Sequence, residues 1–521
     1  MDLMTKRLLV KSVPLKGSLM AAAVIVLVSL SGLSNAVLAA DKLEARTHEA
    51  GGREPIPGTG GDAPAPVIPG EIKLSHGPFG EVTVYQPSAK ATSIALFIPG
   101  DGGWNLGVVD MARHLMSLNA IVVGIDIRHY LNNVNAVKEP CRNLAVDFED
   151  LAHEVQRHLK LEDYLSPVLI GYSSGATLAY ATAVQSPKGT FVGALSLGFC
   201  PDLAVTQKLC RGRGLDYEVE YVKATAPSAI KGVLLAASKL NATPWIAFQG
   251  DIDQVCDANE TRRFVSQTEN AEMVWLPKVG HGFAVERNWL PQFKAAYARL
   301  ARSTVPLPAL PVLADLPLVA VPATASPTPD TRDLFAILVT GDGGWAGLDQ
   351  EVSAALAARG IPVVGVNSLK YFWRARTPEA ASADLERIIL GYRRVWQRPK
   401  VLLIGYSFGA DVLPFLYTRL PEAARASVRS VNLLGLGNRA NFEIHVSSWI
   451  PGVDGRGPEV RPEIERMTKA SILCLYGAEE PNSPCLSLAK GNVRAVAIGG
   501  GHHFGGDYEA LARSIMEHAL R

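Results

Sequence analysis

Two serines in this chain stand where a hydroxyl can become a nucleophile. Gly171-Tyr-Ser173-Ser-Gly175 and Gly405-Tyr-Ser407-Phe-Gly409 are both G-x-S-x-G sequences, each following an apolar strand-like run and preceding a helix-like one. Small flanking residues permit the sharp strand–turn–helix bend that exposes a serine hydroxyl above a helix N-terminus, where developing negative charge is favoured. A serine needs a base to take its proton, and the base needs a carboxylate to orient it. In the α/β-hydrolase layout these follow in the order Ser, Asp/Glu, His. The first copy offers Ser173, Asp253 and His281, and the second offers Ser407, Glu480 and His502, with Glu479 and His503 also eligible.

An oxyanion hole needs two backbone N–H groups, one from the residue after the nucleophile and one from a loop after an early strand. Ser174 and Phe408 follow the serines, and Asp101 and Asp342 open two Gly-Asp-Gly-Gly-Trp loops. Glycines let such a loop approach a substrate closely. The carboxylates of Asp101 and Asp342 are more commonly turn caps, but beside a scissile carbonyl they could attract a cationic group.

The elements that must position these residues are written twice. The Gly-Asp-Gly-Gly-Trp loops are offset by 241 residues and the serine motifs by 234. Two further pairs follow in the same order, at Gly250/Gly477 and at His281/His502. Collinear matches with shrinking offsets indicate a tandem duplication. Apolar runs at 94–99, 120–125, 167–171, 192–197 and 244–249 read as buried parallel strands, separated by helical periodicity at 108–117, 146–159 and 176–184. The second copy repeats the strands at 334–340, 362–366, 400–404, 430–434 and 471–476. The expected fold class is α/β: two tandem α/β-hydrolase-like domains with mostly parallel sheets, preceded by a signal peptide.

The boundaries follow from composition. Lys6, Arg7, Lys11 and Lys16 precede the apolar run Ser18–Leu33 and a small-residue end at Ala39, so residues 1–39 read as a secretory signal. Residues 40–69, rich in Gly and Pro, read as a flexible segment, 70–303 as the first domain and 304–521 as the second. Residues 315–322 are expected to be a hairpin arm before the second copy's first strand. Segments 201–240 and 438–469 are the expected caps, the latter presenting Trp449 and Ile450 to a bilayer.

With 51 Lys+Arg against 50 Asp+Glu the formal charge is +1, and it becomes −2 once 1–39 is removed. That balance argues against nucleic-acid binding driven by net charge, and 48% hydrophobic content argues against a disordered chain. Six cysteines, four in the first half and two in the second, fit an oxidising compartment, and none has zinc-like spacing. Cys474 is expected to pair with Cys485. The favoured pairing of the rest is Cys200–Cys210 with Cys141–Cys256. Cys256 and Cys485 lie three and five residues beyond the proposed acids, so disulfides would tether the acid loops.

The serine elbows, Gly-Asp-Gly-Gly-Trp loops and signal segment together resemble the AcvB/VirJ family of periplasmic virulence proteins of plant-associated bacteria, in its long duplicated form. Residues 331–521, with Gly-Asp-Gly-Gly-Trp-Ala, Ile-Gly-Tyr-Ser-Phe-Gly-Ala-Asp and Gly-Gly-Gly-His-His-Phe, look like the single-domain form. The resemblance implies a periplasmic enzyme that hydrolyses the aminoacyl ester of lysyl-phosphatidylglycerol and so supports lipid homeostasis and type IV secretion. Ser407 would attack the lysyl carbonyl, His502 would shuttle the proton and Glu480 would orient it, with Asp342 or Glu479 binding the cationic lysyl group. The implied partners are the aminoacylated phospholipid, transient contact with the membrane surface and secretion-system components. No metal, cofactor or nucleic acid is expected. The competing readings are a non-catalytic binding or chaperone protein for secretion substrates, and an esterase for another lipid or cell-wall ester.

Overall fold

Runs such as Ser93–Ile98 and Leu334–Val339 are buried along their whole length, as strands covered on both faces must be. The structure, a computed structural model, describes residues 71–104, 106–211, 214–222, 230–302, 311–444 and 457–521. The expected signal segment 1–39, the flexible segment 40–69, and Trp449 and Ile450 lie outside these residues.

The first half is built from β1 (Glu71–His76), β2 (Gly80–Tyr85), β3 (Ser93–Ile98), α1 (Leu106–Met116), β4 (Ala120–Gly124), α2 (Ile127–Ala136), α3 (Leu144–His158), β5 (Val168–Tyr172), α4 (Ser174–Gln185), β6 (Gly193–Leu197), β7 (Asp202–Leu203), β8 (Tyr217–Tyr221), β9 (Ile230–Leu235), β10 (Trp245–Gly250), α5 (Ala258–Gln267), β11 (Ala271–Leu276) and α6 (Leu290–Arg302). Eight strands form one sheet in the order β1-β2-β4-β3-β5-β6-β10-β11. It is parallel except where β2 pairs antiparallel with β1 and β4. The expected first cap contains a small antiparallel sheet, β7-β9-β8.

The second half repeats the plan with β12 (Leu318–Val321), β13 (Leu334–Val339), α7 (Gly347–Ala357), β14 (Val363–Val366), α8 (Ser368–Tyr371), α9 (Pro378–Trp396), β15 (Lys400–Tyr406), α10 (Phe408–Arg419), β16 (Val428–Leu434), β17 (Ile472–Gly477) and β18 (Val493–Ile498). Its sheet runs β12-β14-β13-β15-β16-β17-β18. β12 falls inside the expected hairpin arm, but it pairs antiparallel with β14. Among the described residues it has no preceding strand in this sheet. Helices cover both faces of each sheet, giving separate apolar layers above and below.

The disulfides correct the favoured pairing. Cys141 joins Cys210 and Cys200 joins Cys256, while Cys474 joins Cys485. The reason is strand adjacency. β6 and β10 are parallel neighbours, so the segments leaving their C-terminal ends bring Cys200 and Cys256 together. Cys210 meets Cys141 because Leu209 bridges Arg142, ahead of α3. Three disulfides suit a location outside the cytoplasm. Among the described residues no helix is long and apolar enough to cross a membrane.

The two halves meet along a polar and aromatic seam. Arg157, at the end of α3, lies 3.8 Å over the Trp373 ring and donates to the carbonyls of Trp373 (2.7 Å) and Ile444. Trp373 Nε1 donates back to Leu161 O at 3.0 Å, and Tyr164 is buried within the second half's core cluster.

Candidate active site

Each serine sits at a backbone bend that only its surroundings can hold. Ser173 has φ 56° and ψ −125°, and Ser407 has φ 50° and ψ −116°, a region that non-glycine residues rarely adopt. The bend follows β5 or β15 and opens α4 or α10. It requires the flanking glycines: a Cβ on Gly409 would lie 2.1 Å from Val339 O, and one on Gly175 would lie 2.2 Å from Ile98 O.

The histidines and acids arrive on loops after later strands. In the first half, His281 Nε2 lies 2.9 Å from Ser173 Oγ and its Nδ1 lies 2.9 Å from Asp253 Oδ2. In the second half, His502 Nε2 lies 2.9 Å from Ser407 Oγ and its Nδ1 lies 3.0 Å from Glu480 Oε1. Asp253 follows β10 and Glu480 follows β17, the corresponding strands of the two sheets. Asp253 also accepts from the N–H groups of Val255 and Cys256 and from Gln249 Nε2. Glu480 is fixed by one such bond, from Gly477 N–H at 2.9 Å.

The alternatives left open by the sequence take other places. Glu479 is exposed, and a Cβ on Gly501 would be 3.8 Å from its Oε2, whereas Glu480 reaches the imidazole. His503 turns its Nδ1 to Tyr406 Oη at 2.9 Å, and burial, reinforced by neighbouring His502, holds its pKa below the usual range. A glycine beside each active histidine was not singled out from sequence. Gly198 and Gly435, with φ +64° and +63°, follow β6 and β16, and a Cβ there would lie 3.1 and 2.8 Å from the rings of His281 and His502.

The Gly-Asp-Gly-Gly-Trp loops close beside the serines as tight turns, with Gly103 N–H donating to Gly100 O and Gly344 N–H to Gly341 O. Their tryptophans lie on a bare glycine of the adjacent strand, Trp104 on Gly124 and Trp345 on Gly365, where a Cβ would come within 2.3 and 2.0 Å of the indole. Phe408 and Ser174 open their helices, where N–H groups lack intrahelical acceptors. Asp101 Oδ1 accepts from Ser174 Oγ at 2.7 Å, so it braces the first copy's elbow. Asp342 is half-buried, and burial raises the pKa of its carboxyl against the opposing pull of the Asp342 and Gly343 N–H groups and of His502.

Ser407, His502 and Glu480 open on a cleft of about 460 Å³ that is also lined by Asp411, Gly435 and Asn438. Asp411 was not among the expected site residues. It is enclosed by protein except towards the cleft, and burial pushes its carboxyl well above the ordinary range despite a 2.7 Å hydrogen bond from Gly437 N–H.

The order of the strands, the strained serine after the fifth strand of the first sheet and its counterpart in the second, and two hydrogen-bonded Ser–His–acid chains define a protein of the α/β serine hydrolase type. The chain belongs to the VirJ family of bacterial virulence proteins, which it matches over residues 92–191 and 333–521. The gap between these stretches takes in Asp253 and His281, whereas Ser407, Glu480 and His502 lie within the second. No curated protein matches the chain. Among solved structures it is similar to an α/β serine hydrolase homologue from Coxiella burnetii (18% identity, 45% of this chain and 97% of that one, TM-score 0.27). It is also similar to an α/β serine hydrolase without a lid from Xanthomonas campestris (19%, 46% and 96%, 0.28). A third is a putative dienelactone hydrolase from Klebsiella pneumoniae (12%, 44% and 98%, 0.32).

Proposed function

We propose that the chain is a periplasmic serine hydrolase of two α/β-hydrolase-like domains, residues 70–303 and 304–521, that cleaves the aminoacyl ester of lysyl-phosphatidylglycerol at its second domain. The observation that carries this reading is the Ser407–His502–Glu480 chain opening on a cleft lined by acid. The family supports it, since Ser407, Glu480 and His502 fall in the longer matched stretch.

In this reading Ser407 Oγ attacks the lysyl carbonyl carbon while His502 Nε2 takes its proton, and Glu480 stabilises the imidazolium through Nδ1. The N–H groups of Phe408 and Asp342 receive the oxyanion, and the Asp342 carboxylate faces the cationic acyl group. His502 then returns the proton to the departing glycerol oxygen, releasing phosphatidylglycerol. Water, deprotonated by His502, attacks the acyl-serine and frees lysine. Ser173, Asp253 and His281, with Asp101 and Ser174 at their oxyanion loop, form a second centre of the same type. Access to the lipid requires transient contact with the membrane surface, and lipid homeostasis links the activity to secretion-system components.

The test is lysine release from vesicles of phosphatidylglycerol and lysyl-phosphatidylglycerol by the full chain. Ser407→Ala is expected to abolish release while Ser173→Ala retains it. Full release by Ser407→Ala would overturn the assignment, and absence of fluorophosphonate labelling at both serines would favour a binding protein.

A further inference from the structure

The two active sites share their nucleophile, base and elbow, yet they differ in charge one helical turn from the serine. In Gly171-Tyr-Ser173-Ser-Gly-Ala-Thr177 and Gly405-Tyr-Ser407-Phe-Gly-Ala-Asp411, the fourth residue after the nucleophile is Thr177 in one and Asp411 in the other. Thr177 is buried, and its Oγ1 is spent on Cys200 O at 2.5 Å. Asp411 spends Oδ1 on Gly437 N–H, and the carboxyl lines the cleft beside Ser407. The Gly-rich loop of each copy differs in the same sense. The loop glycine of the first copy, Gly103, lies against the guanidinium of Arg128, whereas the corresponding Gly344 lies against the side chains of Asn367 and Leu369. The first site has a spent hydroxyl one turn from its serine and, against its loop, a guanidinium paired with Asp126, whereas the second has a carboxylate with an oxygen to spare.

From this difference we infer that Asp411 is the specificity-determining residue of the second site, where its carboxylate receives the distal ammonium of a cationic acyl group. The inference rests on the hydrolase reading given above and extends it from a reaction to a residue that selects the substrate.

Geometry admits the distal ammonium. Asp411 N–H donates to Ser407 O at 3.1 Å, one turn into the helix that the serine opens, and both side chains line the same cleft. The ε-nitrogen of lysine, at the end of a flexible arm of four methylenes, can reach a carboxylate one turn from the attacked carbonyl, and the Asp342 carboxylate of the oxyanion loop is left for the α-ammonium. The surroundings also call for a cation. Asp342 lies close enough that its charge opposes ionisation of Asp411, and an ammonium received there would offset both the repulsion and the cost of burial.

The test uses full-length chains carrying Ser173→Ala, so that only the second site reports, and compares the p-nitrophenyl esters of lysine and norleucine. These differ by the ε-ammonium and share the α-ammonium. Asp411→Asn, and Asp411→Thr, which installs the first copy's residue, are expected to lower the lysyl-to-norleucyl ratio of kcat/KM by about 10- to 100-fold, the range for loss of a hydrogen bond between charged groups. Asp411→Glu, which keeps the charge, is expected to restore at least part of the ratio. A ratio within twofold of the parent in either active variant overturns the inference, as does Asp411→Glu falling as far as Asp411→Asn. If the parent cleaves neither ester and Ser407 resists a fluorophosphonate, the hydrolase reading itself fails. If the parent cleaves lysyl ester and the variants keep its preference, only the role of Asp411 fails.

Discussion

The acids of the two sites make a quantitative contrast. Asp253 and Glu480 stand at nearly the same distance from their histidines, 2.9 and 3.0 Å, but the Asp253 side chain is fully buried while that of Glu480 is 28% exposed and its histidine 42%. At such a distance a carboxylate and an imidazolium attract by about 5 kcal/mol at an effective dielectric of 20 and by about 1.4 kcal/mol in bulk water. The second site, open to solvent, belongs between these limits, at about 2–4 kcal/mol. Since about 1.4 kcal/mol is a factor of ten in rate, Glu480→Gln should lower kcat by about 30- to 1,000-fold. Asp253→Asn should cost more at any activity of the first site, about 10³- to 10⁴-fold. The assay is single-site turnover, of a lysyl ester in a Ser173→Ala background for Glu480 and of a neutral p-nitrophenyl ester in a Ser407→Ala background for Asp253. Glu479→Gln in the same background should stay within about threefold of its parent, because Glu479 does not reach the imidazole. A Glu480→Gln enzyme as active as its parent, or a Glu479→Gln enzyme as impaired as Glu480→Gln should be, would refute the placement of the second acid.

Other perturbations probe the surroundings. Gly435→Ala puts a Cβ 2.8 Å from His502 Cε1 at φ +63°, and should reduce second-site turnover at least about 100-fold, a one-ångström displacement being enough for that. Gly491→Ala, equally left-handed but with open space around it, should leave turnover unchanged, and equal losses would exclude the steric cause. Arg157→Ala leaves the carbonyls of Trp373 and Ile444 without their donor and removes the cation from the Trp373 ring. It should destabilise the chain by about 3 kcal/mol in urea unfolding, with Arg157→Lys intermediate, and a change below about 0.5 kcal/mol would contradict the seam. Glu149, half-buried on α3 and near Asp342, has its carboxyl pushed up to about 8, chiefly by burial. The unfolded chain loses that proton near pH 4.5, so the folded state binds more protons from there to about 8, and stability must fall as pH rises through this window. Glu149→Gln should flatten that part of the stability–pH curve, and an unchanged slope between pH 5 and 8 would refute the assignment.

What could be read from sequence was what the chain writes locally. A serine elbow is five consecutive residues, the acid of each copy follows an apolar strand, and the histidine stands in a repeated Gly-His pair near the end of its copy. Their order along the chain therefore sufficed to pick them out. The edge strands escaped notice for the complementary reason: β11 and β18 are half-exposed, and Val493–Ile498 alternates with Arg494 instead of running apolar. The cysteine pairing failed because it depends on which strands are neighbours, and chain order does not state that β6 lies beside β10 across the intervening cap. Asp411 stood inside the quoted motif, and comparison with Thr177 was the signal available. Its significance came from the cleft, which loops distant in sequence close around it.

The seam around Arg157 bears on how the duplication can evolve. Tyr164 is carried by the first half but fills the core of the second, and the carbonyls of Trp345 and Lys188 share the Gln350 amide across the boundary, beside the loop that ends at Trp345. In this chain a copy that supplies its neighbour with core and loop supports has a use that does not depend on its own serine. Decay of the Ser173 centre would thus leave a first half retained for its shape, and the second copy free to specialise.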